Sequence, residues 1–398
     1  MNMKIPIIRH SFDEADRENL LKPLESGWLV QGPYVAEFER MFCQFTGAKY
    51  AKATTSCTTA LHLALVALGI GPGDKVIVPS FTYVASANAV EYTGAEVVLC
   101  DIDLRTYNID VERVRDILEN DKGRRIKAVM PVNLFGLSAD LVTIKELAEE
   151  YGIAVIEDSA CGIGASIRGK HSGTFGAVGC FSFHPRKVIT TGEGGMLITD
   201  DENIASKVSS LRDHGAEKSD LARHKDKSGS LLPDFNDRGY NYRMTDIQGA
   251  LGVAQMRKAE NIIKGRGLVA GRYNESLAGI DKLNIPYVPE GYIHGFQSYV
   301  CIYSGGEDIN NLTMEKIVKL NRERNLLMEK LEEKGISTRQ GTHAVHTLGY
   351  YKKKFVFSEM DYPVSFACDR LSITLPLYSD MSDEEFNYVI TNITERLA

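Results

Sequence analysis

Between Lys75 and Ile156 short apolar runs alternate with segments of helical period, and few folds accept such a pattern. The reading is strand at Lys75 to Pro79, helix at Ser86 to Thr93, strand at Ala95 to Asp101 and helix at Val111 to Asn120. It continues with strand at Ala128 to Leu134, helix at Leu141 to Tyr151 and strand at Ile153 to Ile156. Strands that take turns with helices form a mostly parallel sheet covered on both faces, so the expected class is α/β. Ligands of such sheets collect at the carboxyl ends of the strands. Three segments fall there: Phe81-Thr-Tyr83, Asn133-Leu-Phe-Gly136 and Glu157-Asp158-Ser159.

The alternation stops near Lys264-Gly-Arg-Gly267, and 398 residues leave room for two domains, expected at 1–264 and 265–398. The second part reads as a smaller α+β unit, with strands at Ser298 to Tyr303 and Ser372 to Leu375 and helices at Thr313 to Lys334 and Asp383 to Leu397. The stretch His214 to Phe235 reads as a mobile surface loop. With 46 basic and 53 acidic residues the net charge is −7, spread without blocks, which argues against nucleic acid or an anionic membrane and for a metabolite. Seven scattered cysteines without a C-x-x-C pair fit neither a disulfide framework nor a zinc site, so a reducing cytoplasm is expected. Met1 to Arg9 lacks the features of a signal peptide, and no run reaches membrane-spanning length.

Four segments carry candidate chemistry. Lys187 lies on a loop between apolar runs Ala177 to Phe183 and Gly195 to Thr199, where desolvation would lower its pKa and favour Schiff-base formation; a solvated loop lysine is the plain alternative. In Ala51 to Leu65, Ser56 or Thr58 caps a helix whose start could hold a phosphate or simply be capped. Trp28, in Ser26-Gly-Trp-Leu-Val-Gln-Gly-Pro33, is a binding aromatic or a buried anchor. Asn241 and Arg243 precede a helix from Ile247 to Ile263 whose Thr245 and Gln248 have capping-box spacing. Two apparent nucleotide motifs fail: His171 stands where a phosphate loop after Gly164 needs Ser or Thr, and Ile167 where a dinucleotide fingerprint needs glycine.

From Ser26 to the C-terminus the chain resembles the DegT/DnrJ/EryC1/StrS family of sugar aminotransferases. The resemblance rests on Ser26 to Pro33, Pro79-Ser-Phe-Thr-Tyr83, Glu157-Asp-Ser-Ala160, Ser182 to Gly195 and Gly239-Tyr-Asn-Tyr-Arg-Met244. It implies the aspartate-aminotransferase (fold type I) architecture and pyridoxal 5'-phosphate (PLP), cycling through its amine form (PMP). Lys187 would bond the cofactor aldehyde and then move the substrate proton, while Asp158 would keep the pyridine nitrogen protonated. Tyr83 would stack on the ring; Cys57, Thr58 and Ser182 would hold the phosphate; Asn241 would reach the neighbouring subunit's cofactor, which implies a homodimer. The family often has Gln where Cys161 stands and Gly where Cys57 stands. The implied reaction moves an amino group from L-glutamate to a nucleotide-linked 4-keto-6-deoxysugar, with Ile189 to Gly195 similar to the branch acting at C4. Trp28, His184, Arg339, His343 and His346 are candidates for the sugar or diphosphate, and one of these cations or Arg243 for the donor carboxylate. Three rivals are a PMP-dependent dehydratase, which has His in place of Lys187, a transaminase for a small phosphorylated ketone, and a cofactor-binding regulator without turnover.

Overall fold

A computed structural model describes residues 3–218 and 234–397. Its centre is a seven-stranded sheet in the order Tyr50–Thr54, Gly195–Thr199, Val178–Ser182, Ala154–Asp158, Ile126–Val129, Lys75–Pro79, Glu96–Cys100. Only Gly195–Thr199 runs antiparallel to its neighbours. Val178–Ser182 and Gly195–Thr199 are buried at every position, as continuous apolar strands covered on both faces must be. Helix Val111–Glu119 buries only Val114 and Leu118 along one stripe, whereas Cys57–Ala67, apolar nearly all round, lies deep against the sheet.

The strand expected at 128–134 ends at Val129. Past it the chain must leave the sheet edge, and Leu134–Gly136 forms a tight turn with Phe135 at φ 56° and Gly136 at φ 103°. A Cβ on Gly136 would lie 2.7 Å from the Gln297 nitrogen, so the turn is pressed against the later chain.

The single helix expected from Ile247 to Ile263 is two, Asp246–Arg257 and Ala259–Leu277, with a break at Lys258. At the break the Lys258 amine donates to Asp16 and to the Ser11 carbonyl. The second helix runs through residue 264, so the expected boundary falls inside a helix and not in a linker. Residues beyond it carry a three-stranded sheet, Leu283–Asn284, Tyr299–Tyr303 and Ser372–Leu375. Its apolar core takes in Ile5, Phe81, Tyr107 and Phe135 from the first part of the chain. Of the stretch 214–235, residues 219–233 lie outside those described.

The N-terminal residues thread between the two parts. Ile5 pairs with Gly335 and Ser337, the Ile7 carbonyl accepts from Leu377 N at 3.1 Å, and Arg9 binds Glu385 at 2.9 Å. His10 reaches the Pro185 carbonyl, on the loop that carries Lys187. Among the described residues no helix is long and apolar enough to cross a membrane, and no cluster of metal-ligating side chains occurs.

Candidate active site

The carboxyl ends of the parallel strands open into a cleft of about 530 Å³, lined among others by Cys57, Thr58, Tyr83, Asp158, Ser182, His184, Lys187 and Arg339. Its floor is Asp158, the last residue of its strand, with 4 % of its surface exposed. One carboxylate oxygen accepts from Ser86 Oγ at 2.6 Å and the other from Ala160 N at 3.1 Å. Burial raises the Asp158 pKa, and the Ser86 and Ala160 donors and the charge of Lys187 offset it only in part. A buried carboxylate held by neutral donors is complementary to a cation, and a protonated ring nitrogen supplies one.

Above it lies the start of helix Cys57–Ala67. Ser56, not Thr58, is the cap: its hydroxyl takes Thr59 N at 3.2 Å, and Thr59 Oγ1 takes Ser56 N at 3.1 Å. Cys57 N and Thr58 N, in the first turn, have no intrahelical acceptor, so donors and the positive end of the helix face the cleft. Gly195 lets this turn come so close. A Cβ there would sit 2.3 Å from the Ser56 carbonyl carbon and 2.5 Å from Cys57 N. Ser182 pairs with Gly195 across the sheet, which puts its hydroxyl beside the same turn. The site thus has an anion cradle with the donors a phosphate needs.

Lys187 stands between cradle and carboxylate on a braced loop. Lys187 N donates to His184 O at 2.8 Å, Thr190 Oγ1 to Phe183 O at 2.8 Å, and Gln297 Nε2 to Arg186 O at 2.7 Å. Phe183 anchors the loop against Phe38 and Phe42. The lysine amine donates to Cys161 Sγ at 3.2 Å. The lowered pKa expected from the sequence is not found. Burial does work against the charge, but Cys161, Asp158 and Cys57 together outweigh it and the net shift is upward.

Other candidates divide. Tyr83 lies at the cleft lip, 66 % exposed, with its ring open to a ligand. His184 lines the cleft 4.0 Å from Glu193, its pKa lowered by burial. Arg339 is exposed in the cleft, and its guanidinium has no partner among the described residues. His343 points out of the cleft lining toward Asp369, 3.8 Å away, which raises its pKa. His346 is a correction: it is fully buried, bonded to Ser80 Oγ at 2.7 Å and to the Glu359 carbonyl, and cannot reach a sugar. Arg243 is taken by Asp213 at 2.5 Å and leaves the donor carboxylate to another cation. Trp28 and Asn241 lie outside this chain's cleft; the indole donates to Gln31 O at 3.3 Å, and Asn241 is exposed on a bridge to Asp213.

Sequence reasoning missed Ser86, 72 residues from its carboxylate partner, and the Ile7 and Ile8 wall of the cleft, because neither carries a local signal. It also missed Arg266, whose guanidinium is buried against the carbonyls of Phe296, Gln297 and Leu377 and whose pKa burial lowers to about 10. That residue fixes the cleft wall.

Amine, carboxylate and anion cradle are complementary to a single molecule with an aldehyde, a basic ring nitrogen and a phosphate. Pyridoxal phosphate has all three, and the proteins that hold it on such a sheet are the fold type I enzymes. Within that class the chain belongs to the DegT/DnrJ/EryC1/StrS aminotransferase family, whose model matches residues 10–394. It is 35% identical to the GDP-perosamine synthase of Caulobacter vibrioides over 396 residues, 99% of this chain and 98% of that protein. A DegT DnrJ EryC1 StrS aminotransferase from Brucella abortus superposes with a TM-score of 0.83 at 30% identity, over 96% of this chain and 95% of the other. The PLP form of Spr1654 from Streptococcus pneumoniae gives 0.87 at 28% identity, over 99% of both chains. The protein is a PLP-dependent sugar aminotransferase.

Proposed function

We propose that the chain transfers the amino group of L-glutamate to the C4 keto carbon of a nucleotide-linked 6-deoxysugar, as a cytoplasmic homodimer. The observation that carries the aminotransferase reading is one cleft lined by Lys187, by the buried Asp158 carboxylate whose charge acts on that amine, and by the capped helix start. Support for the sugar comes from the relative named for GDP-perosamine and from the segment Ile189 to Gly195.

When bound, the cofactor supplies a carbonyl that accepts the amino group and a ring that accepts the electron pair. Asp158 keeps the proton on the ring nitrogen, and Ser86 and Ala160 N keep the carboxylate in place. Cys57 N, Thr58 N and the Ser182 hydroxyl would hold the phosphate, and Tyr83 would lie against the ring. Lys187 Nζ, when free, would carry the proton from the donor's α-carbon to the cofactor carbon that bore the aldehyde. Arg339, a cation of the cleft without a partner among the described residues, binds the donor carboxylate, and His184 contacts the sugar or its diphosphate. His343 and Trp28 lie outside the lining. Asn241, exposed and remote from its own cleft, is suited to reach the phosphate in a second subunit. Residues 1–264 would carry the cofactor and 265–398 close over it.

The test is a coupled assay in which dTDP-, UDP- and GDP-linked 4-ketosugars are offered with glutamate. Release of 2-oxoglutarate with one of them is the expected result. Release only with a small phosphorylated ketone would replace the proposed substrate, and no release with any acceptor would remove it.

A further inference from the structure

The geometry points to Cys161 as a positioning residue for Lys187: its sulfur holds the lysine amine whenever that amine is not covalently engaged. The importance of this for turnover rests on the aminotransferase reading, but the pair itself does not. Nζ and Sγ are 3.2 Å apart, and Cys161 is buried in the cleft wall. A tight turn fixes the sulfur. Ala160 N binds the Asp158 carboxylate at 3.1 Å, Gly162 N binds Ser159 O at 2.8 Å, and a Cβ on Gly162 would come within 3.0 Å of Ser159 Cβ. One turn therefore both holds the Asp158 carboxylate and places the sulfur beside the amine.

Lysine has a flexible four-carbon stem, and here its amine must be released and recaptured in every cycle. An acceptor fixed beside it limits where the free amine can go. Thiol and amine can share a proton, as amine with thiol or ammonium with thiolate, without changing the net charge of the pair. The other charged and titratable groups facing the amine are Asp158 from its strand end and Cys57 from the helix start, with His184, Arg186 and Glu193 on its own loop and Arg339 from the later part of the chain. Among the causes that raise the Lys187 pKa against burial, Cys161 comes first.

The test uses the full-length enzyme in its pyridoxamine phosphate form, where the lysine is free. Trace acetylation with acetic anhydride over a pH series, read on the Lys187 peptide by mass spectrometry, gives the titration midpoint of the amine. In Cys161→Ala and Cys161→Ser the midpoint should fall by about one pH unit, a tenfold change in proton affinity. An unchanged midpoint in both folded variants overturns the proposal. Should both variants fail to fold by circular dichroism, the reciprocal measurement decides. Lys187→Met should change the rate of iodoacetamide alkylation of Cys161, and an unchanged rate there overturns the pairing. A protein that takes up no pyridoxal phosphate would sink the functional reading, while acetylation of the cofactor-free chain would still report on the pair.

Discussion

On the floor of the cleft, Asp158, Ser182 and the first turn after Ser56 are held by strand ends, a capping box and neutral donors, whereas at the rim Arg186 and Arg339 project into solvent. Groups meant for an invariant cofactor gain from being fixed before it arrives, because no reorganisation is then needed during the reaction. Groups meant for a substrate that differs among enzymes of one fold sit where exchange disturbs little packing. Substitutions on the floor should therefore abolish chemistry or cofactor binding, and those at the rim should change substrate affinity.

The sharpest break is Lys187→Ala, expected to lose roughly 10²–10⁴-fold or more in turnover together with the visible absorption band of the bound cofactor. A variant with normal rates and spectrum would refute the floor assignment. Asp158→Asn should retain the cofactor but lose about 10²–10³-fold in kcat, measured in the coupled assay. Gly195→Ala forces a methyl into the Ser56 carbonyl and should destabilise by about 1–3 kcal/mol and weaken cofactor affinity, seen by thermal melting and cofactor titration. Arg339→Gln should raise the KM for glutamate about tenfold with little change in kcat, as expected for a lost charge-assisted contact at an exposed site.

The smallest effect is one of pH. The Asp158 pKa in the cofactor-free fold is raised above its unfolded value, so between the two values the native state binds more protons than the unfolded state. Stability then falls as pH rises through this window, by up to about 1.4 kcal/mol per unit of separation. Melting curves of cofactor-free protein should show this slope, and Asp158→Asn should flatten it.

The central strands and helices were legible because each carries its own period: Lys75–Pro79, Leu141–Tyr151 and Gly195–Thr199 lie where the sequence puts them. Lys187, Asp158 and the helix start were legible as a motif order. What the sequence concealed depends on contacts between distant segments. Lys258, where the helix breaks, finds its acidic and carbonyl partners some 240 residues earlier, and the amine of Lys187 is raised first by a cysteine on another strand's turn. His346 looked like a ligand in a basic loop, yet Ser80 and the Glu359 carbonyl enclose it. A histidine's role is set by what packs on it, and that information is not local.

The threading of Ile5 to His10 through the molecule has a consequence for biosynthesis. These residues are made well before their partners at Ile336, Leu377 and Glu385. The wall that Ile7 and Ile8 give to the cleft can therefore form only after those later segments have been made. Until then the apolar run waits without its partners, and the cleft is completed by a pairing between segments far apart in the order of synthesis.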